Sequence, residues 1–243
     1  MQLNSTMVEY FNCIYIINLA ERQDRREEIA EQLSKIQLCL AHPKIHLFKA
    51  IKPDARGEFD SVGARGCFMS HLGILKHAKS LQFNRILILE DDLNFTQDFT
   101  SRIDQVIKEL SLKDWQLFYG GYLGLSGLEH KPAQQVINVP SSVTFHGAHF
   151  VAFQGEVISD LVVYLELMLT RKNGDPSGGP MHVDGAYLWY RKQGCATYLV
   201  FPELGYQRAS RTDIHHLAWH DRLPVIRHVV SHLRKLKNKL TSN

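Results

Sequence analysis

The chain has 243 residues, 44% of them apolar and 22% charged, which is about one domain's length with ample apolar surface to close a core. That balance excludes a disulfide-stapled miniprotein, a fibrous repeat and a disordered segment. A net charge of +3 lacks the basic footprint of a dedicated nucleic-acid binder, so no nucleic-acid partner is expected.

Residues 13–19 (CIYIINL) form a short, β-branched apolar run that predicts a buried central strand. A helix follows, with Asp24 as its N-cap and Ile29, Leu33 and Ile36 recurring at helical spacing. Residues 45–51 alternate as a strand does and break at Lys52-Pro53-Asp54. Over 65–81, Met69, Leu72, Ile74, Leu75 and Ala78 keep helical spacing, with Gly63 and Gly66 at the start. A second apolar strand, 85–89 (RILIL), runs straight into Glu90-Asp91-Asp92. Strand, helix, strand, helix, strand is the rhythm of an α/β protein with a mostly parallel sheet flanked by helices. Ligands of such sheets collect beyond the carboxyl ends of the strands.

Further along, the pattern predicts a helix from Asp98 to Leu110, a strand near 115–119 and an irregular polar stretch over 126–142. Strand character resumes at 147–153, a helix covers 154–169, and 171–180 (RKNGDPSGGP) is a loop by composition. The apolar segment 157–169 is interrupted by Asp160 and Glu166, so no membrane span is expected. Cys13, Cys39, Cys67 and Cys195 are widely spaced without a CxxC pair and read as ordinary buried thiols of a reducing compartment. The opening MQLNSTMVEYF lacks a signal-peptide pattern, and a cytoplasmic protein is the expectation.

From Arg222 onward the chain carries no acidic residue, while Arg222, Arg227, Arg234, Lys235, Lys237 and Lys239 surround an apolar stripe. The expected organisation is one domain over 1–221 and a basic amphipathic helix over 222–243. That helix docks its apolar face on the domain and leaves surplus cations for peripheral contact with the inner face of an anionic membrane.

Three local features carry chemistry. Glu90, Asp91 and Asp92 repel one another, so they either fan into water or share a cation, and carboxylates with phosphate oxygens are the usual cage for Mg²⁺ or Mn²⁺. Arg22, Arg25 and Arg26 follow the first strand, where cations and free backbone N–H groups suit a diphosphate; the alternative is a charged helix face paired with Glu27, Glu28 and Glu31. Asp184, after the glycine-rich loop and beside His182, suits a general base, a capping residue for the next helix, or both. Of thirteen histidines, His215 and His216 near the end are the ones considered as metal ligands, and His216 is taken as the third beside Glu90 and Asp92.

Taken together, IYIINLAERQDRR (14–26), GARGCFMSHLGILKHA (63–78), ILILEDD (86–92) and the pair HVDGAYL and FPELGYQRASRTDI (within 182–214) resemble glycosyltransferase family 25, the lipooligosaccharide-biosynthesis transferases related to collagen galactosyltransferases. The resemblance implies a GT-A-like, Rossmann-type sheet and transfer of a sugar from a nucleoside diphosphate donor, UDP-galactose above all. The acceptor would be a saccharide hydroxyl, as in lipooligosaccharide, with inversion and with a divalent metal at a DxD-like motif. It also implies that Asn18, Arg22 and Arg26 lie at the nucleotide end of the first strand. Gly66, Ser70, His71 and Asp91 lie beside the nucleotide, and Glu90 and Asp92 hold the metal. Asp184 would then be the base, with Arg208, Ser210 and Arg211 on the phosphate side. The sequence departs from the family pattern at Glu90, at Ala64-Arg65 where relatives often have a GE-x-GC glutamate, and at Arg211-Thr212-Asp213-Ile214 where Ser-Asp-Ile is common. A nucleotidyltransferase, or a carbohydrate- or membrane-binding module without turnover, are the competing readings.

Overall fold

The computed structural model describes residues 5–126 and 134–208. A short α1 (Ser5–Tyr10) precedes β1 (Cys13–Asn18), α2 (Gln23–Lys35), β2 (Ile45–Lys49), α3 (Val62–Ser80) and β3 (Arg85–Glu90). Next come β4 (Leu93–Phe95), α4 (Phe99–Ser111), β5 (Leu117–Tyr119), β6 (Val136–Asn138) and β7 (Phe150–Gln154). The described chain closes with α5 (Val157–Leu169), α6 (Val183–Arg191), β8 (Thr197–Val200) and β9 (Gly205–Gln207).

Seven strands make one sheet in the order β2-β1-β3-β7-β5-β8-β6, and β4 pairs with β9 in a separate two-stranded ribbon. In the large sheet β7 runs against β3 and β5, β6 runs against β8, and the other five strands share a direction. This is the expected mixed α/β architecture with a mostly parallel sheet between helical layers. Among the described residues no helix is long and apolar enough to cross a membrane.

The continuous apolar runs of β1 and β3 are explained by burial on both faces. Tyr15, Ile17, Ile86 and Ile88 face α3, α5 and α6, where Phe68, Leu72, Leu75, Leu161 and Tyr187 complete one core. Ile14, Ile16, Leu87 and Leu89 face α1, α2 and α4, against Met7, Ile29, Leu33, Ile103 and Val106. Each of those isoleucines, removed from water, contributes about 1.5–3 kcal/mol. The two central strands are therefore held rigidly, and their carboxyl ends are fixed points on which a site can be built.

Local details depart from expectation. Asp24 is not a cap: it lies in the first turn of α2, Arg22 is the capping residue, and Asp24 receives hydrogen bonds from Arg22 Nε and Nη2, each at 2.9 Å. A carboxylate in that turn complements the helix dipole as well as a cap does. Helix α3 begins three residues earlier than its apolar spacing indicates, because the Ser61 side chain accepts from the Ala64 N–H at 3.0 Å and caps the helix there. The polar stretch 126–142 contains edge strand β6, and β4, β8 and β9 have no counterpart in the pattern-based expectation. All four cysteines are free, but only Cys13 is buried; Cys39 is exposed, and Cys67 and Cys195 are half-buried. The 221/222 boundary and the basic helix 222–243 lie outside the described residues.

Candidate active site

The site is built where β1 and β3 end. Asn18, the last residue of β1, is buried and spends both ends of its amide there: Nδ2 donates to Asp91 Oδ2 at 2.8 Å, and Oδ1 accepts from Arg26 Nε at 3.1 Å. Arg26 also donates to the Ala20 carbonyl at 2.9 Å, which ties the β1–α2 turn together. Arg25 reaches across from α2 to the acidic motif, with Nη1 at 2.9 Å from Asp91 Oδ1 and 3.5 Å from Asp92 Oδ2.

Asp92 is the most strained of the three carboxyls. Burial, then repulsion from Glu90, pushes its pKa up to about 7 against partial relief from Arg25. One oxygen, Oδ2, accepts from Gln207 Nε2 at 3.2 Å; the other, Oδ1, is buried with no hydrogen-bond partner among the described residues. Burial likewise raises Asp91, against the opposing charge of Arg25 and the hydrogen bond from Asn18. For Glu90 the balance reverses: burial pushes it up, but His71, followed by His149 and Arg25, outweighs burial and holds it below the usual carboxylate value. His71 is fully buried, with Nε2 3.6 Å from Glu90 Oε1 and Nδ1 3.0 Å from the Tyr187 hydroxyl.

Ribbon β4–β9 closes the motif from the other side. It brings the Arg208 N–H to the Asp92 carbonyl at 2.7 Å and Arg208 Nη2 to the Asp91 carbonyl at 3.0 Å. The same guanidinium pairs with Glu28 at 2.7 Å and Asn94 at 2.9 Å.

Beside the carboxylates opens a cavity of about 280 Å³ between β1, α2, the end of β2 and the start of α3. Its walls combine apolar groups (Ile17, Leu19, Ile51, Pro53) with Arg22, Arg25, Glu90 and Asp91. Gly66 is required where α3 passes the chain after β2, since a Cβ there would lie 2.6 Å from the Ile51 carbonyl oxygen. Ser70 locks the same contact, donating to Gly66 O at 2.7 Å and accepting from the Ile51 N–H at 2.8 Å.

Of the expected donor-site residues, Arg22, Gly66, Ser70 and Asp91 line this cavity, whereas Asn18, Arg26 and His71 are not among its lining groups and stand behind it as supports. Ser210, Arg211, His215 and His216 lie outside the described residues. Arg65, at the departure from the family pattern, turns to the Ala55 carbonyl at 2.7 Å and steadies the loop before α3 without lining the cavity.

Asp184 comes from the far side, in the first turn of α6 behind N-cap His182. Its Oδ1 accepts from the Gly185 N–H at 2.8 Å and its Oδ2 from the Gly147 N–H at 3.2 Å, with exposed His146 4.0 Å away. Gly147 presents that N–H with φ +101°, a conformation open to glycine. The charge of Asp184 is felt at Cys67 and at buried His149, which places it within electrostatic reach of the Glu90 cluster.

Sequence reasoning passed over Gln207 and Cys67 as site residues, and it offered Arg25 to a diphosphate without pairing it with the acidic motif. Arg25 sits in the same RQDRR run as the arginines that were carried forward, and Gln207 precedes Arg208 in the FPELGYQRAS segment. The oxygen donors fit a hard divalent cation: Asp92 has a buried oxygen without a hydrogen-bond partner among the described residues, and its crowding with Glu90 is the charge imbalance such a cation relieves.

Three relatives place this site in context. Procollagen galactosyltransferase 1-B of Xenopus laevis is 29% identical over 129 residues, 46% of this chain and 21% of the relative. Procollagen galactosyltransferase 2 of Mus musculus is 26% identical over 212 residues, 79% of this chain and 32% of the relative. The inactive glycosyltransferase 25 family member 3 of Homo sapiens is 24% identical over 129 residues, 46% of this chain and 22% of the relative. The chain thus spans between about a fifth and a third of the length of these proteins. The profile of glycosyltransferase family 25 (LPS biosynthesis protein) matches residues 11–150, more than half of the chain, from β1 through the acidic motif to the start of β7, and the chain belongs to that family.

Proposed function

We propose that this protein transfers a hexose, galactose by the nearest family resemblance, from a UDP-sugar to a hydroxyl of a saccharide or glycolipid acceptor such as lipooligosaccharide, with a divalent metal and inversion of the anomeric centre. The observation that carries the reading is Asp92: a carboxyl raised to about 7 by burial and Glu90, with a buried oxygen that has no hydrogen-bond partner among the described residues, beside a cavity at the carboxyl ends of parallel strands.

In this reading Glu90 and Asp92 hold Mn²⁺ or Mg²⁺, which when bound neutralises charge on the departing diphosphate. Arg22 and Arg25 face the phosphates from the cavity wall, and the apolar groups around Ile17, Ile51 and Pro53 accept the flat faces of the nucleoside. Ser210 and Arg211, which lie outside the described residues as His216 does, are assigned by the resemblance to assist on the phosphate side, and His216 is assigned as a further metal ligand. Asp184 takes the proton from the acceptor hydroxyl; two backbone N–H groups orient its carboxylate, so little reorganisation is needed when the hydroxyl arrives. The protein works in the cytoplasm, with the basic segment 222–243 at the membrane face.

The test is a panel of nucleotide sugars with Mn²⁺ or with EDTA, read as thermal shift and as release of the nucleoside diphosphate. A Mn²⁺-dependent shift and UDP release with one UDP-sugar is the expected result. A shift with nucleoside triphosphates alone would move the assignment to nucleotidyl transfer. One second reading has a specific observation behind it: the human relative is named inactive, so a shift without any release would mark this chain as a binding module.

A further inference from the structure

Cys67 and His71 stand one helical turn apart on α3, on the same face, and both turn toward Glu90 at the end of β3. Cys67 Sγ lies 3.9 Å from Glu90 Oε1, His71 Nε2 lies 3.6 Å from the same oxygen, and all three ligand atoms fall within 4.8 Å of one another. Zinc, bound at about 2.0–2.3 Å by sulfur, imidazole nitrogen and carboxylate oxygen in a tetrahedron, spaces such atoms about 3.4–3.6 Å apart. Closing the observed separations to that spacing takes small side-chain rotations.

Two further observations point to a ligand. Among the described residues Nε2 of fully buried His71 makes no hydrogen bond of ordinary length; Glu90 Oε1, at 3.6 Å, is within ion-pair range only. Its other nitrogen is held by Tyr187, itself fully buried, as metal-bound imidazoles are held by an outer partner that fixes their tautomer. In the tautomer that donates Nδ1–H to that hydroxyl and leaves Nε2 without the proton it otherwise turns toward Glu90, Nε2 offers a lone pair beside a thiol and a carboxylate, an arrangement a cation satisfies. Access exists as well, because Cys67 and Glu90 both line the 280 Å³ cavity.

We propose that Cys67, His71 and Glu90 form a site for a thiophilic divalent cation of the zinc type, distinct in its donors from the hard-cation site of Glu90 and Asp92. On binding, the Cys67 S–H bond breaks, the sulfur lone pair bonds the cation and the proton leaves to solvent. The fourth position faces the cavity. Glu90 belongs to both sites and serves one at a time, so zinc competes with the hard cation. The site rests on these three side chains and stands whether or not the chain transfers sugar.

The test is titration of the metal-free, full-length protein with Co²⁺, followed by displacement with Zn²⁺. The expected result is one equivalent bound, tetrahedral ligand-field bands, a thiolate-to-cobalt charge-transfer band in the near ultraviolet, and one proton released per cation. Cys67→Ser should abolish the charge-transfer band, and Tyr187→Phe should weaken binding about tenfold with the band retained. Cobalt bound without that band, or a band that survives in Cys67→Ser, overturns the proposal. Should Cys67→Ser not fold, peptide-resolved alkylation of the wild type decides: Zn²⁺ slows modification of Cys67 tenfold or more while Mg²⁺ does not, and equal rates overturn the site. Failure here leaves UDP-sugar turnover with Mn²⁺ untouched, so the two readings fail separately.

Discussion

The carboxylates at the end of β3 and the carboxylate at the start of α6 are held in opposite ways. Glu90, Asp91 and Asp92 sit beside one another, largely out of water, with Arg25 reaching two of them. Asp184 is about a quarter exposed and is oriented by neutral backbone donors. The first arrangement stores electrostatic tension that a cation or a proton relieves; the second keeps an anion ready and positioned. A crowded group responds to charge and pH, and a positioned group responds to geometry.

That contrast can be broken most forcefully at Asp92. Asp92→Asn removes the crowded charge, and metal-dependent transfer should fall to background while circular dichroism shows the fold intact. Full turnover by this variant after metal removal would sink the DxD-like reading. Next in size is Arg25→Gln, which strips the guanidinium from a buried pair and should cost about 3–5 kcal/mol in urea unfolding. Adding Asp91→Asn should recover much of that loss, because the stranded charge goes with it. Asp184→Asn should lower kcat about 10²-fold with the donor dissociation constant unchanged; loss of donor binding instead would move Asp184 out of the base role.

The last prediction concerns pH dependence. Asp92 titrates near its ordinary 3.8 in the unfolded chain and at about 7 in the folded one. Between those values the folded protein holds a proton that the unfolded chain has lost. The Asp92 contribution therefore makes the metal-free protein less stable as pH rises from about 4 to about 7, and levels off above. Subtracting the melting profile of Asp92→Asn from that of the wild type should expose this slope, and saturating Mn²⁺ should flatten it. A difference profile that rises with pH would contradict the assignment.

The half of the fold nearest the acidic motif was legible because its signals are local. Strands β1 and β3 announce themselves as unbroken apolar runs, α3 by spacing, and Glu90-Asp91-Asp92 by position at a strand end. Strands β4 and β9 are three residues each, too short for a period, and exist through a pairing of Leu93 with Gln207 across more than a hundred residues. The same holds inside the site. Nothing within the RQDRR run tells Arg25, which crosses to Asp91, from Arg22, which turns back to Asp24, because the difference lies in which helix face meets β3. The support roles of Asn18 and His71 were hidden likewise, since their partners Asp91 and Tyr187 are distant in the chain.

Ribbon β4–β9 carries a practical consequence for dissecting the protein. All seven strands of the main sheet are complete by Val200, and of the described buried core residues only Leu204 lies beyond it, so a fragment ending there retains every strand of that sheet and its principal packing. Such a fragment lacks the Gln207 amide on Asp92 and the Arg208 contacts to the carbonyls of Asp91 and Asp92. The sheet and the tether on its acidic motif therefore have different minimum lengths in this chain, separated by the eight residues that follow Val200, and a truncation series should find folded pieces whose acidic motif has lost that tether.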